Sequence, residues 1–567
     1  MGTPALIRGR VDVGILQKAD RLFCNDDRGI FIEILQNARR AGATTVNVSL
    51  EEIPAEPIHC VVTVEDNGIG IESFQNLVTL GRSGWDQETQ DTEDPAGMGF
   101  FSLCQCGVEV TSLSKTVTLS RDVFLGNADA EVKDHAYIPG TRLRFTRPST
   151  RLTLSAVLAS VAKFCPLDVC LNGEILPQHD FLAGSIYREE IDGIEVGFAI
   201  RFEHNFTGYR DDNWNFYGAL IHENFPSFWG ILTNDHKGLT LALQVRFNVR
   251  ETGRIKLQLP DRRSVIESEF LVAFKRRATA AAYGCFERQA QHALPYRNWK
   301  EALQLGIQLK EAACLLTTWS VSARDNDMEP LFGEGETNIV STLDEALLVR
   351  SELTDQYTLQ AALNSGADLD FVLYEEKPEY QGYSWYDRLP RLTAVEVLVD
   401  GVQYAECTKE RIAARPKAIE LKITIEEPEH DSKIVSIPAL VHVDTEDEYG
   451  VDPIFVLIQD SPWDKGNGEP FSLHEFLMWA TFWSSDDVEN DSWQTQCDRH
   501  DDLVTEIISR YLHGQRASLM SQVRRSLDSY ITHQAEQLGV TEIKFIRSGS
   551  DGWTVELNGT EADSKHV

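Results

Sequence analysis

The chain has 567 residues, and its 42% hydrophobic and 25% charged residues are typical of a soluble globular protein with three or four domains. Its 53 Lys and Arg residues against 88 Asp and Glu residues give a net charge of −35, which disfavours nonspecific binding to nucleic acid or to an anionic membrane. No run approaches the roughly 20 apolar residues that span a bilayer, and the first residues lack the apolar core of a signal peptide. We therefore expect a cytoplasmic protein whose ten cysteines, which form no CxxC pair, are reduced and hold no zinc.

The first informative element is a helix predicted within the segment from Phe31 to Gly42. Glu33 and Asn37 are four residues apart, so they share one face of this helix. A carboxylate can orient and deprotonate a water molecule, and an amide oxygen can bind Mg²⁺. Taken alone, however, such a pair is more typical of a solvated helix face.

The second element is a predicted buried strand that ends at Asp66 and runs into the glycine turn Asp66-Asn-Gly-Ile-Gly70. A carboxylate at a strand end can accept a hydrogen bond from the amino group of adenine. Gly68 and Gly70 would let the backbone approach the ring closely. The pattern by itself also fits any tight turn.

Two further glycine segments follow along the chain. Gly97-Met-Gly-Phe-Phe-Ser102 precedes an apolar, helix-like run, and backbone amides in such a turn can bind an anion such as a triphosphate. Gly140 and Thr141 lead into a predicted strand, and the Thr141 hydroxyl could reach adenine or a water molecule bound to it. Each segment alone is equally well explained as a plain turn.

The order and spacing of these four segments resemble the GHKL superfamily, which includes gyrase, heat shock protein 90, histidine kinases and MutL. The heat-shock-protein-90-like ATPases are the most similar group, because of Gly97–Ser102 and of Asn76 with the run Thr79–Gly84. The resemblance implies an α+β protein with an N-terminal Bergerat α/β sandwich that binds ATP and Mg²⁺. It assigns Glu33 as the general base and Asn37 as the Mg²⁺ ligand. The other implied nucleotide contacts are Asp66, Gly68, Gly70, Asn76, Gly97, Gly99, Phe100 and Thr141.

Two features of this region bear on catalysis. The polar segment from Gly81 to Ala96 lies between the two glycine segments and is predicted to be a lid that closes over bound nucleotide. Arg40 stands where members of the superfamily usually have Asp, three residues after the magnesium ligand. It could support the phosphates or pair with Glu33, which would make Glu33 less basic. ATP binding is therefore a safer prediction than rapid hydrolysis, and we expect a slow ATPase.

The following region, from residue 151 to residue 315, is predicted to be a second domain. The sequence from Phe164 to Gly173 resembles the start of the transducer domains that follow GHKL domains, which implies a ribosomal-S5-like fold. Such domains reach back to the γ-phosphate with a basic side chain, which stabilises charge in the transition state. Arg262 and Arg263 are the candidates for this role, with Lys256 as the third. Solvated surface positions are an equally good interpretation of these residues.

Residues 316–567 match no family pattern and are predicted to form an α+β region that binds clients or partner subunits, with a possible linker at 325–336. The N-terminal 150 residues would then be the nucleotide-binding domain. The preferred function is a heat-shock-protein-90-like conformational machine, chaperone-like in its output, with ATP-dependent homodimerisation as one possibility. The first alternative is an ATP-sensing scaffold with little turnover. The second is a DNA-acting protein of the MutL or topoisomerase kind, which the negative charge disfavours.

Overall fold

The computed structural model describes residues 14, 26–54, 58–93, 95, 97–201, 212–232, 240–250, 254–258, 264–350, 353–407, 415–444, 454–459, 461–465, 472–484, 492–526, 533–535, 537–547 and 552–559. The chain divides into two compact units, Met1–Ala313 and Cys314–Val567. Among the described residues, no helix is both long and apolar enough to cross a membrane.

The first unit begins with helix α1 (Asp27–Arg40), which packs against a mixed sheet. Asp26 caps the helix by accepting a hydrogen bond from the Gly29 amide at 2.6 Å. The strands of this sheet, in chain order, are β1 (Thr45–Ile53), β2 (His59–Asp66), β3 (Val108–Leu119), β4 (Lys133–Arg147), β5 (Asp168–Leu171) and β6 (Glu174–Ile175). Their spatial order is β3-β4-β2-β1-β5-β6. Strand β1 buries Val46, Val48 and Leu50, whose alternation gives the sheet its apolar face.

Shorter elements surround the open end of this sheet. They are a 3₁₀ helix at Phe74–Val78, helix α2 (Gln87–Glu93), a 3₁₀ helix at Gly99–Leu103 and helix α3 (Arg121–Phe124). Helix α2 lies within the predicted lid. The apolar run after Gly97 forms only the short 3₁₀ helix, because Gly107 reverses the chain at φ +65° just beyond it.

The first sheet continues past residue 150, where the sequence placed the end of the first domain. Helix α4 (Arg151–Ala162) buries Leu154 and Leu158 in the same core as α1. Strand β5 then pairs in parallel with β1. The segment from Phe164 to Gly173, which was expected to start the second domain, thus supplies strand β5 to the first sheet.

A second sheet and two helices complete the first unit. The strands are β7 (Ser185–Ile191), β8 (Ile194–Arg201), β9 (Trp214–Phe216), β10 (Ala219–Ile221), β11 (Phe228–Leu232) and β12 (Thr240–Val249). Their order is β10-β9-β12-β8-β7, and β11 also pairs with β12. Helix α5 (Glu269–Glu287) covers the sheet with an apolar face that includes Phe274 and Tyr283, and α6 (Tyr296–Gln304) follows it.

The second unit is built on its own sheet. Its described elements are β13 (Leu315–Thr317), β14 (Thr337–Ile339), β15 (Ala346–Val349), α7 (Gln356–Asn364), β16 (Val372–Glu375), α8 (Ser384–Asp387), β17 (Arg391–Val399), β18 (Val402–Gln403), β19 (Ile419–Glu426), β20 (Lys433–Ala439), β21 (Val441–Asp444), β22 (Ile454–Leu457), α9 (Leu473–Thr481), α10 (Trp493–His513), α11 (Gln515–Ser526), β23 (Val540–Arg547) and β24 (Trp553–Gly559). The main sheet has the order β16-β15-β17-β19-β20.

The segment proposed as a linker, 325–336, is part of the packed second unit. Asp325 is buried and accepts hydrogen bonds from the Ser484 amide at 2.7 Å and from the Trp493 indole at 3.1 Å. Phe332 packs edge-on against Trp479, with ring centroids 4.9 Å apart. Asp325 and Phe332 therefore pack against the helices of the second unit, while the role of 325–336 as a linker stays a prediction.

Candidate functional site

A cavity of about 520 Å³ lies between α1, the turn after β2, the lid and the segment that starts at Gly97. Its volume is within the range of small-molecule and cofactor sites. Most of the residues that the resemblance assigned to a nucleotide contribute to its wall: Glu33, Asn37, Asp66, Gly70, Asn76, Gly97, Gly99, Phe100 and Thr141. Gly68 stands behind this wall, where an added Cβ would come within 2.7 Å of the Cβ of Ala41.

One end of the cavity is organised around Asp66. The backbone amide of Gly68 donates to its Oδ1 at 2.9 Å, and the amide of Thr141 donates to the same carboxylate. Burial raises the pKa of Asp66, while these two hydrogen bonds act in the opposite direction. Because Asp66 pairs with Thr141 across strands β2 and β4, the carboxylate is fixed in the cavity wall as an acceptor.

Ser112 of strand β3 connects the segments at this end of the cavity through hydrogen bonds. The sequence alone did not identify this residue. Its buried hydroxyl donates to the Gly140 carbonyl at 2.7 Å and lies 3.2 Å from the Thr141 hydroxyl. It also accepts from the Ile71 amide at 2.8 Å. Gly140 has φ +69°, and a Cβ there would collide with the Asp66 carbonyl. No local pattern marks Ser112, because its role depends on which strands become neighbours.

The other end of the cavity brings Glu33 against the glycine segment. A Cβ at Gly99 would overlap the Glu33 carboxylate, so a larger residue there would force this carboxylate to move. Gly97 has φ +61°, and a Cβ there would come within 2.5 Å of the Arg82 backbone. These two glycines let the lid, the backbone of the Gly97 turn and the carboxylate meet at one place. The arrangement suits a group that needs backbone amides and a nearby base.

Arg40 lies at this end and links α1 to the lid. Its Nε pairs with Glu93 at 2.9 Å, and its Nη1 donates to Asn37 Oδ1 at 3.2 Å. Arg39 pairs with the same carboxylate. Burial alone would raise the pKa of Glu93, but the hydrogen bonds and charges of the two arginines outweigh it, so the pKa is lowered. Sequence reasoning considered the phosphates and Glu33 as partners of Arg40 and missed Glu93.

The residues of the cavity wall fit ATP. They also fit Mg²⁺ if Arg40 releases the oxygen of Asn37. The Asp66 acceptor and the two glycines near Glu33 suit a purine amino group and a phosphate chain, respectively. Asn37 Oδ1 is the kind of oxygen that Mg²⁺ prefers, but it already accepts a hydrogen bond from Arg40. Among the described residues, no group of three or more His, Cys, Asp or Glu side chains could hold a metal ion. Any Mg²⁺ here would thus take most of its ligands from phosphate and water.

Three basic residues were predicted to contact the γ-phosphate, and the structure describes one of them, Lys256. Arg262 and Arg263 lie outside the described residues. Lys256 is exposed, on a short segment whose Leu257 bridges to Val265, and it does not contribute to the described cavity wall. Arg82 of the lid does contribute to that wall. Arg82 and Trp85 can be recognised in the sequence, because they are the largest side chains in the lid segment from Gly81 to Ala96.

Comparison with known families covers most of the region that forms this cavity. Residues 28–139 match the family described as histidine kinase-, DNA gyrase B-, and HSP90-like ATPase. This part of the chain is therefore similar to the ATPase domains of the GHKL superfamily. The match includes Glu33, Asn37 and Asp66 and ends just before Gly140. It does not single out the heat-shock-protein-90-like group within the superfamily, and no curated protein matches the chain by sequence.

Three solved structures that resemble the chain each cover about half of it. The N-terminal domain of a DNA repair protein is 12% identical, with a TM-score of 0.27, and covers 49% of this chain and 99% of its own. The ATP-binding domain of topoisomerase IV from Francisella tularensis is 11% identical, with a TM-score of 0.28, over 48% and 87%. The gyrase B subunit from Myxococcus xanthus is 11% identical, with a TM-score of 0.26, over 46% and 89%.

Proposed function

We propose that the chain binds ATP with Mg²⁺ in the described cavity and hydrolyses it slowly, as a heat-shock-protein-90-like conformational machine. The observation that carries this proposal is the convergence of Glu33, Asn37 and Asp66, from three separate places in the sequence, on one cavity. The match to the GHKL-type ATPases supports it, because it spans all three residues.

In this proposal each end of the cavity has its own task. Asp66 accepts a hydrogen bond from the adenine amino group, and Thr141 and Ser112 hold the strands around it. Glu33 orients the attacking water and takes its proton, since its carboxylate lies beside the backbone of Gly99, where the phosphates would bind. Mg²⁺, when bound, neutralises charge on the phosphates, and Asn37 is the side chain that would hold it.

Lid movement would provide the conformational output. The wall of the cavity includes Arg82 and Trp85 of the lid, so a bound nucleotide would contact the lid directly. Closing such a segment over the phosphates excludes water and completes the catalytic arrangement. Arg262 and Arg263 remain the proposed contacts with the γ-phosphate from the following region. Clients or partner subunits would bind the second unit, and ATP-dependent homodimerisation is the proposed mode of assembly.

One observation favours the alternative of an ATP-sensing scaffold. Arg40 donates to Asn37 Oδ1, the oxygen that Mg²⁺ would use, and its guanidinium would repel a cation placed there. If Arg40 stays in place when nucleotide binds, the metal is held poorly and turnover is negligible. The protein would then respond to ATP through lid closure alone. A role on DNA is the weakest candidate, because a net charge of −35 opposes contact with phosphate backbones.

The test measures ATP binding by calorimetry and ATP turnover for the full chain and for Glu33→Gln. Glu72→Gln is a matched control, because Glu72 is another carboxylate in the same cavity wall and lies outside the motifs. The proposal expects slow turnover in the wild type and in Glu72→Gln, with binding but no turnover in Glu33→Gln. Binding without turnover in all three proteins would favour the sensing scaffold. Absence of binding in the wild type would refute both functions.

A further inference from the structure

Arg39, next to Arg40 on α1, contacts two different parts of the first unit. Its guanidinium pairs with Glu93 at the end of lid helix α2. The same guanidinium lies over the ring of Tyr217, with Cζ 3.8 Å from the ring centroid. Tyr217 belongs to the turn between β9 and β10 in the second sheet. One side chain therefore joins the nucleotide lid to the sheet that follows the ATPase domain.

The Tyr217 turn is held against α1 by a second side chain as well. Gln36, which is buried, donates from Nε2 to the carbonyl of Phe216 at 2.8 Å and to that of Tyr217 at 3.1 Å. Its Oε1 accepts from Arg39 at 3.4 Å. Behind the turn, Gly218 packs so closely that a Cβ would come within 3.0 Å of Cys165. A displacement of the turn relative to α1 would therefore break the bonds of Gln36 together with the contact of Arg39.

Buried amide groups connect this turn to the interior of the second sheet. Asn215 accepts from the Gly218 amide at 2.8 Å and donates to Asn248 Oδ1, also at 2.8 Å. Asn248 in turn donates to Glu195 at 2.7 Å. Because Asn215 and Asn248 are 3% and 5% exposed, breaking these bonds would leave buried polar groups unsatisfied. A displacement of the turn would therefore strain these hydrogen bonds, which join β9, β12 and β8.

The two arginines that share Glu93 have different second contacts. Arg40 bonds to Asn37 inside the nucleotide cavity, whereas Arg39 stacks on Tyr217 outside it. The side chains of Arg39 and Glu93 are only 17% and 14% exposed, so solvent screens their attraction weakly. A lid that moves away from α1 must separate Glu93 from both guanidinium groups.

We propose that Arg39 is a positioning residue that ties the lid to the Tyr217 turn, so that the second sheet controls how firmly the lid closes over nucleotide. The proposal rests on the function proposed above for the same cavity. In it, Tyr217 fixes the guanidinium of Arg39 at the position where Glu93 meets it. A displaced turn releases Arg39, weakens the hold on the lid and speeds nucleotide exchange.

The first test compares Tyr217→Leu with Tyr217→Phe in the full chain. Leucine removes the aromatic face, while phenylalanine keeps it. Dissociation of a fluorescent, nonhydrolysable ATP analogue is followed by stopped flow. We expect it to be about threefold to tenfold faster in Tyr217→Leu and unchanged in Tyr217→Phe, because a cation–π contact at a partly desolvated site has this strength. Equal rates in the two variants would overturn the proposal.

A double variant tests whether Tyr217 and Glu93 act on the lid through the same linkage. In a Glu93→Gln background, Tyr217→Leu should add less than a twofold further change, because both substitutions act on one linkage. Arg147→Gln is the matched control, since Arg147 pairs with Asp27 at the opposite end of α1 and is similarly buried. This control should leave the dissociation rate unchanged. Fully additive effects, or an equal effect of Arg147→Gln, would show that the cluster is merely structural.

Hydrogen exchange without nucleotide separates this proposal from the ATPase proposal. Tyr217→Leu should lower the protection of amides in 87–93 relative to the wild type, whereas Tyr217→Phe should not. If the wild type fails to bind nucleotide but this difference is found, the ATPase proposal fails and the linkage stands. If the wild type binds nucleotide and protection in 87–93 is equal in all three proteins, the linkage is refuted and the ATPase proposal stands.

Discussion

Replacing Asp66 with asparagine tests the nucleotide site with almost no change in shape. Gly68 donates to Asp66 Oδ1 at 2.9 Å, so the asparagine oxygen is expected to take that position. The asparagine NH₂ group then occupies the place of the other carboxylate oxygen. A ligand amino group that approached an acceptor in the wild type would meet a donor instead.

The expected loss follows from the hydrogen bonds involved. A hydrogen bond to a charged acceptor contributes about 1.5–3 kcal/mol, and a buried donor left unsatisfied costs about 1–3 kcal/mol. Together these effects predict a loss of about 2.5–6 kcal/mol, which is at least about 70-fold in affinity. The free energy of unfolding of the protein without nucleotide should instead stay equal or rise. Because burial raises the pKa of Asp66, its charge at neutral pH disfavours the folded state, and asparagine removes that charge.

Calorimetric titration with ATP and with GTP checks the first expectation, and thermal unfolding without nucleotide checks the second. The wild type should prefer ATP, because the acceptor at Asp66 matches the adenine amino group and repels the carbonyl of guanine. The Asp66→Asn protein should bind ATP at least about 70-fold more weakly and unfold at an equal or higher temperature. Retention of ATP affinity within tenfold would refute the assignment of Asp66.

Three other substitutions give independent expectations. Arg40→Gln frees Asn37 Oδ1 and should strengthen the Mg²⁺ dependence of nucleotide affinity by about tenfold, measured by titration at fixed free Mg²⁺. Gly99→Ala should abolish turnover and lower stability by about 1–3 kcal/mol in chemical denaturation, because the added Cβ displaces the Glu33 carboxylate. His442→Gln should remove a pH dependence of stability: burial lowers the pKa of His442 to about 4, so its unfolded form binds a proton first as pH falls below about 6.5. The wild type should therefore lose about 2 kcal/mol more than the variant between pH 7 and pH 5.

The first two substitutions have a control variant in the same chain. Arg39→Gln also loses a contact with Glu93 but leaves the bond between Arg40 and Asn37 in place, so its Mg²⁺ dependence should match that of the wild type. Gly284→Ala, in α5 with open space around it, should raise stability by about 0.5–1 kcal/mol. For His442, both Asp355 at 3.6 Å and the nearby Asp444 would favour the charged form. Equal pH slopes for the wild type and His442→Gln would show that these carboxylates offset the effect of burial.

Most of the residues that line the nucleotide cavity carry a recognisable sequence signal. Glu33 and Asn37 stand out because helical spacing places them on one face, and Asp66 because a buried strand ends there before a glycine turn. The glycines are recognisable as a pattern, but the reasons for them are tertiary. Gly99 leaves the space that the carboxylate of Glu33 occupies, although Glu33 lies far away in sequence, and Gly140 is required by the Asp66 carbonyl.

Boundaries and connections were harder to predict, because they depend on distant partners. Strand β5 joins the first sheet by pairing with β1, and no local signal distinguishes this from the start of a new domain. Helix α10 ends at His513, because Gly514 has φ +83° and stops the helical run before α11 begins. The antiparallel pairing of β23 with β24 is easier to predict, since the two strands are neighbours in the sequence.

The sequence by itself determined which chemical groups are available: an acidic chain, a carboxylate and an amide on one helix, an aspartate at a strand end, and glycines at fixed intervals. These follow from local periodicity and from backbone conformations open to particular residues. Only the tertiary structure decided the partners of charged and polar side chains. Arg39 and Arg40 meet Glu93, and Arg39 also meets Tyr217, because folding brings the lid and the second sheet to the same end of α1. Such pairings join residues far apart in sequence, so local pattern could not predict them.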